Sequence, residues 1–282
     1  DKYYIIALLN SSILNWRFEL FSSQNNIRNY EIEDLPFYRA DSTVQQAIAE
    51  EVKKIIELKK ARYEWFKIWR FWKERMKKNE VSLHYILIRD LVSLRYGKIE
   101  DLWSSKADLY PESGDKLLKK SFNEFEVIGD QKTLTIYGLL EDSYELANKI
   151  EFIDDKLMKI VYASIHSMLE ESKSKVCTLS QLLEKTVIPL IHPDEKRNTV
   201  NILLKVENEF EQWKVKEGLA TMTPDIVKID NEIRNLTARV DSYIFKLYGL
   251  NEDEAKVVLD SLKIKSTHRD EVLKHFKGSK NV

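Results

Sequence analysis

With 282 residues, 43% of them hydrophobic and 32% charged, the chain can fill one large or two modest soluble domains, and its six Trp, eleven Phe and thirteen Tyr exclude a disordered tail. The formal net charge of −1 excludes a basic footprint over the whole chain, so any contact with nucleic acid must rest on local positive charge. Cys177 is the single cysteine, which excludes an intrachain disulfide and a CxxC metal site; seven glycines and five prolines favour long helices over many short strands.

In residues 3–21, Ile6, Leu9, Ile13, Trp16 and Leu20 recur at helical spacing and predict one helix with a common apolar face. Residues 22–33, polar and amide-rich over 22–29, read as loop or short strand. Leu35-Pro36-Phe37 closes the segment, because proline disfavours helix at the residue before it. Ser42 and Gln45 then form a capping-box pattern, opening a helix whose apolar face is Val44, Ile48, Val52, Ile55 and Leu58. The helix is expected to continue through Trp65, Phe66, Ile68, Trp69, Phe71 and Trp72 to Met76. That half is aromatic on nearly every side, and core packing accounts for it better than stacking on bases.

A further helix is predicted over residues 81–96, ended by Gly97, followed by irregular chain at 101–112 and a short helix at 116–123. The period then changes to two. Residues 125–128 and 133–137 predict a hairpin about Gly129-Asp130, with residues 149–154 as a third strand. Helix returns at 155–171, and Thr178 caps a short helix leading to Ile188-Pro189. Residues 199–216 form the next helix, ended near Gly218. Thr223-Pro224-Asp225 opens a helix with the seam Ile226, Ile229, Ile233, Leu236, Val240, Ile244 and Leu247, ended by Gly249. Asn251 caps a helix to residue 262, and a last one covers 269–276. The expected fold is mainly α with a small β-hairpin or sheet insert (α+β) and long helices packed as a bundle. Its divisions are the opening segment at 1–40, long helices at 41–100, the α+β insert at 101–195 and a helical bundle at 196–282.

The glycines are isolated, so there is no phosphate loop, and His84, His166, His192, His268 and His275 show no HxxxH or HExxH spacing. Pro224-Asp225 with Glu254-Ala-Lys256 matches the text of metal-dependent nucleases, in which two carboxylates hold magnesium and the lysine orients water. Pro224-Asp225 is already explained as a helix start, and Glu254 and Lys256 fall in the first turns of another helix, so no catalytic or metal residue is assigned. Local positive charge occurs at residues 53–78, where Glu57, Glu64 and Glu74 are the only acids, and at residues 261–282. A solvated helix face is the commoner explanation of either stretch, ahead of contact with a polyanion. No apolar run has the length of a membrane span, and the start lacks the basic region of a signal peptide. The expectation is a cytoplasmic protein cut from a longer chain.

YYIIALLNSSILNWRF, then an amide- and Arg-bearing loop, then IEDLPF, resembles the target-recognition region of type IIG restriction-modification enzymes and their relatives among adenine-specific DNA methyltransferases. The matching positions are Tyr4, Ala7, Leu8, Leu9, Asn10, Ser11 and Leu35-Pro36, with Ile5 where the family carries leucine. Near the other end, VDSYIFKLYGLNEDEAKVV is similar to the family's terminal helices at Leu247, Tyr248, Gly249, Leu250 and Glu254. The resemblance implies a region that is non-catalytic by itself, whose partners are double-stranded DNA and an upstream methyltransferase domain of the same polypeptide. That domain would carry the (N/D)PPY motif and bind S-adenosylmethionine; the chain has neither motif, so no cofactor is expected within it. Base reading would fall to Gln24, Asn25, Asn26, Arg28 and Asn29, since amides pair with adenine and Arg with guanine. Lys53, Lys54, Lys59, Lys60 and Arg62 would follow the phosphates. The alternatives are a fragment of a type I restriction specificity subunit, which shares the Leu-Pro exit into a long helix, and a helical protein-interaction scaffold without DNA binding.

Overall fold

The computed structural model describes residues 1–21, 33–75, 80–82, 121–141, 143–152, 155–171, 177–189, 197–262 and 264–278. The expectations for residues 22–29, 83–97 and 101–112 lie outside them. In chain order the helices are α1 (Lys2–Leu9), α2 (Ser12–Phe21), α3 (Ser42–Arg75), α4 (Asp155–Glu171), α5 (Leu179–Lys185), α6 (Arg197–Lys216), α7 (Ile226–Leu247), α8 (Glu252–Ser261) and α9 (Ser266–Gly278). The strands are β1 (Glu80–Ser82), β2 (Ser121–Phe122), β3 (Phe125–Asp130), β4 (Thr133–Leu140), β5 (Ser143–Glu151), β6 (Cys177–Thr178) and β7 (Val187–Pro189). The class is mainly α with a small antiparallel sheet. The chain forms two compact units, one of residues 1–60 with 232–282 and one of residues 61–231.

In the first unit the opening segment is two helices, where its spacing predicts one. Asn10 Nδ2 donates to the Ile6 carbonyl at 2.8 Å and Ser11 Oγ to the Leu8 carbonyl at 2.6 Å, so short polar side chains take the last carbonyls of α1 and the helix stops. The break moves the buried face. Tyr4, Ala7, Leu8, Ile13 and Leu14 are buried, whereas Ile6, Leu9 and Leu20, expected on the core side, are exposed. Asp241 of α7, 5% exposed, accepts from Ser12 N at 2.8 Å and from Ser12 Oγ, and lies 3.0 Å from His268 Nε2. One carboxylate thereby joins α2, α7 and α9.

The caps are shifted from those read in sequence. Asp41 caps α3 by accepting from Val44 N at 3.0 Å, and Gln45 Nε2 reaches the Ala40 carbonyl, so Ser42 is the first helical residue. Asn251 and Glu254 form the expected capping box on α8. Gly249 closes α7 at φ +74°, a left-handed conformation that a side chain would strain.

In the second unit β3, β4 and β5 form a three-stranded sheet in that order. The hairpin turns at Gln131-Lys132, since Asp130 pairs with Thr133 and Gly129 with Leu134. Gly129 is therefore a strand residue. A Cβ there would lie 2.9 Å from Val227 Cγ1 and 3.1 Å from Met158 Sδ, so its absence lets α4 and α7 close on the strand. The third strand begins at Ser143, earlier than its alternation shows, because Ile136 pairs with Asn148 but Tyr137 with Leu146, leaving Ala147 as a bulge. Glu80–Ser82 pairs with Val187–Pro189, and Ser121–Phe122 with Cys177–Thr178. Both short segments are strand where helix is predicted, because partners distant in sequence override local preference.

The aromatic half of α3 is core on one side, as expected, while Phe71 and Tyr63 are left exposed. Trp65, Phe66 and Trp69 are buried, with the Trp65 and Trp69 rings stacked at 5.8 Å. Trp65 Nε1 donates to the Pro224 carbonyl and Trp72 Nε1 to Glu209, each at 3.0 Å. The helix start at residues 223–225 also differs in detail. Asp225 is the cap, accepting from Val227 N at 3.1 Å and Lys228 N at 3.3 Å, while Thr223 Oγ1 accepts from Asp225 N. A second buried carboxylate, Asp230, accepts from Tyr162 Oη at 2.6 Å and Arg62 Nε at 2.7 Å.

Replacing Asp241 with alanine leaves the Ser12 amide buried without an acceptor. Asp241→Ala is expected to lower the unfolding free energy by about 3 kcal/mol in urea titrations. Asp253→Ala, at a position 93% exposed, should change it by less than about 0.5 kcal/mol.

Candidate functional site

The base-reading candidates Gln24, Asn25, Asn26, Arg28 and Asn29 lie outside the described residues. The phosphate candidates all fall on α3, and the structure separates them. Arg62, in the second unit, is held by Asp230 and by Glu170, whose Oε1 lies 3.0 Å from Nη1. Burial opposes its charge, but the two acids prevail and its pKa is raised. Its fork is directed at these carboxylates.

In the first unit, the advance of about 100° per residue puts Lys53 and Lys60 on one face of α3, two turns or roughly 10 Å apart. Lys54 and Lys59 project to either side of that face. Lys54 Nζ lies 2.5 Å from Glu232 Oε1. Lys53 Nζ donates to Glu50 at 2.7 Å, and that hydrogen bond is the main reason its pKa is raised. The ammonium also sits 5.4 Å from the centre of the Tyr3 ring, with Lys2 Nζ 5.0 Å from the same ring. Lys2 thus joins the patch of Lys53 and Lys60. Nothing in its local sequence signals this; the meeting of α1 with α3 creates it.

The two stretches that carry the family resemblance meet in this unit. Tyr4 Oη donates to the Tyr38 carbonyl at 2.7 Å. Tyr248 Oη donates to the Pro36 carbonyl at 2.5 Å and accepts from Tyr38 N at 3.3 Å. Burial raises the pKa of both phenols, which keeps them protonated as donors. The chain leaving Leu35-Pro36 is therefore held at both sides by residues of the resembling segments.

A pocket of about 560 Å³ opens in the same unit, walled by Val44 and Ile48 of α3, Leu247 and Leu250 at the end of α7, and Phe276 of α9. Glu51, Tyr243 and Lys246 supply its polar groups. Arg239 Nη2 clamps Glu51 at 2.6 and 2.5 Å, and Lys246 Nζ lies 5.0 Å from the Phe276 ring centre. Sequence reading missed this pocket, because its walls come from three segments with no motif in common.

Each residue of the nuclease-like text has a local role. Asp225 caps α7 and pairs with Lys159 at 2.8 Å; Glu254 accepts from Asn251 N at 2.8 Å; Lys256 pairs with Glu252 at 2.9 Å. Among the described residues no group of three or more His, Cys, Asp or Glu is arranged to hold a metal ion. No described helix is long and apolar enough to cross a membrane. Comparison with protein-family models found no match to the sequence, and neither did comparison with curated proteins or with solved structures.

His275, whose Nε2 is 2.7 Å from Asn235 Oδ1, titrates below its ordinary value, chiefly through burial and then through Arg239 and Lys274, against a smaller opposing pull from Glu51. The folded chain then binds this proton less readily than the unfolded chain. Its contribution to stability is complete above about pH 6.5 and is lost as pH falls below that value. Urea midpoints measured from pH 8 down to pH 5, as a rough range, should fall less steeply for His275→Gln than for the unmodified chain.

Proposed function

We propose that the chain completes or supports DNA recognition in a bacterial or archaeal adenine methyltransferase or restriction-modification enzyme, and that catalysis resides elsewhere in the parent polypeptide, with its S-adenosylmethionine site. The observation that carries this reading is the joining of the resembling segments. Tyr4 and Tyr248, far apart in sequence and each within a family-like motif, fix the same stretch of backbone at Pro36 and Tyr38. A chance match at either end gives no reason for the two to share one unit.

The lysine face adds a physical basis. Lys53 and Lys60 follow the Leu-Pro exit by less than six turns of α3; Lys60 is exposed and Lys53 half-buried, its ammonium on Glu50. Two lysines at this spacing on one helix face can contact successive phosphates, and phosphate contacts position a protein without reading sequence. Arg62 is not part of this contact, because Asp230 and Glu170 hold it.

A second reading, a protein-interaction scaffold, draws on Ile5, Ile6 and Leu9, which leave α1 with exposed apolar side chains.

Mobility-shift titration on duplex DNA across a salt series separates the two. The DNA reading expects binding at low salt by this chain or by its full-length parent. Lys53→Gln with Lys60→Gln should reduce the slope of log affinity against log salt by about 1.8. Absence of any shift at low salt for both proteins overturns it.

A further inference from the structure

The second unit carries a surface that the duplex contact leaves unused. Phe71 lies two residues, or about 200° around α3, past the buried Trp69, and so turns away from the core. It is 46% exposed, and Trp72 beside it is half-buried. One exposed ring is ordinary in a folded chain. This one belongs to a cluster.

Arg75 follows Phe71 by one turn, and a helical side chain leans back over the preceding turn. Its guanidinium carbon lies 3.9 Å from the centre of the Phe71 ring and 5.4 Å from that of Trp72. From α6, Lys205 Nζ comes within 4.6 Å of the Trp72 ring centre. The two rings meet edge to face, 5.7 Å apart at 84°. The indole N–H of Trp72 donates to Glu209, which holds that ring in place. Arg75 and Lys205 are both exposed, and among the described residues neither is paired with a carboxylate.

We infer that this face binds single-stranded nucleic acid, with an unpaired base stacked on the Phe71–Arg75 pair and flanking phosphates at Arg75 and Lys205. Rings and guanidinium planes both accept a stacked base, and a guanidinium resting on a ring still has N–H donors for a phosphate. A duplex keeps its base faces inside its own stack, so the exposed ring gains nothing from it. An acidic peptide would engage the two cations and leave the ring unused. A single strand supplies complements to both. The inference goes beyond the duplex contact, since every residue of the face lies in the second unit and Lys53 and Lys60 lie in the first.

Fluorescence anisotropy of a labelled oligothymidylate of about 12 nucleotides, within the site sizes of strand-binding surfaces, reads the contact in the full chain at low salt. Binding is expected, and an abasic strand of equal length should bind at least about tenfold more weakly. Phe71→Ala should weaken the thymidylate about tenfold and leave binding to duplex unchanged. Arg75→Gln with Lys205→Gln should lower the slope of log affinity against log salt by about 1.4. Val257→Ser, at a residue 63% exposed on α8, should change nothing. The effect of Phe71→Ala should persist in the Lys53→Gln, Lys60→Gln background, which separates this face from the duplex contact. Circular dichroism melts superimposable on that of the unmodified chain identify variants that fold. Absence of strand binding at low salt, equal binding of the abasic strand, or equal strand binding by folded Phe71→Ala overturns the proposal. Displacement of the strand by polyglutamate at matched charge also overturns it, and assigns the face to acidic proteins. If Phe71→Ala does not fold, an unchanged salt slope in folded Arg75→Gln, Lys205→Gln overturns it instead.

Discussion

A carboxylate taken out of water must be met by donors, and this requirement fixes each of the two units. In the first, Asp241 is met by the Ser12 amide and hydroxyl and by His268, which draws the start of α2 and the start of α9 onto α7. In the second, Asp230 is met by Tyr162 and Arg62, which ties α4 and the later half of α3 to the start of α7. Apolar packing would tolerate small slips of one helix along another. Directional bonds to a buried anion do not, since each donor must be within about 3 Å at a favourable angle.

This constraint also explains the fate of the charges on α3. The stretch is rich in Lys and Arg in sequence, and a one-dimensional reading treats them as a single basic surface. Folding sorts them. Arg62 becomes a structural counter-ion, Lys54 pairs with Glu232, and Lys53 and Lys60 share an outward face. Arg62 bridges two carboxylates at once, in keeping with its planar fork. The Lys53 contact with the Tyr3 ring, which Lys2 also approaches, shows the converse, a patch assembled from residues that no local pattern links.

The helices were legible because their signals are local. Thr178 and Asn251 cap the helices they precede, and the seam from Ile226 to Leu247 is one uninterrupted helix. Where boundaries moved, a neighbouring Asp served as the cap, at Asp41 and Asp225, and a reading centred on Ser or Thr misses that choice. The broken opening helix was hidden because Asn10 and Ser11 interrupt apolar spacing without Gly or Pro to mark the stop. Glu80–Ser82 and Ser121–Phe122 were hidden for a deeper reason, since their strand character exists only through partners about a hundred or fewer residues away, beyond any local window. Of the candidate site, the lysines could be read from composition; the pairing of Lys54 with Glu232, the approach of Lys53 to Tyr3, and the pocket arise only from tertiary contacts.

The bulge at Ala147 sets how the sheet accommodates changes in length. Before it, β5 alternates in one phase; after it, Asn148 and Ile150 turn inward in the other. Removing Ala147 would leave Leu146, 53% exposed, paired with Tyr137 and Asn148 paired with Ile136, and so restore plain alternation without moving either half. A residue removed nearer Glu151 would instead shift the inward-facing half. The sheet is thus two separately registered pieces joined at one joint, and length variation is better absorbed at that joint than within either piece.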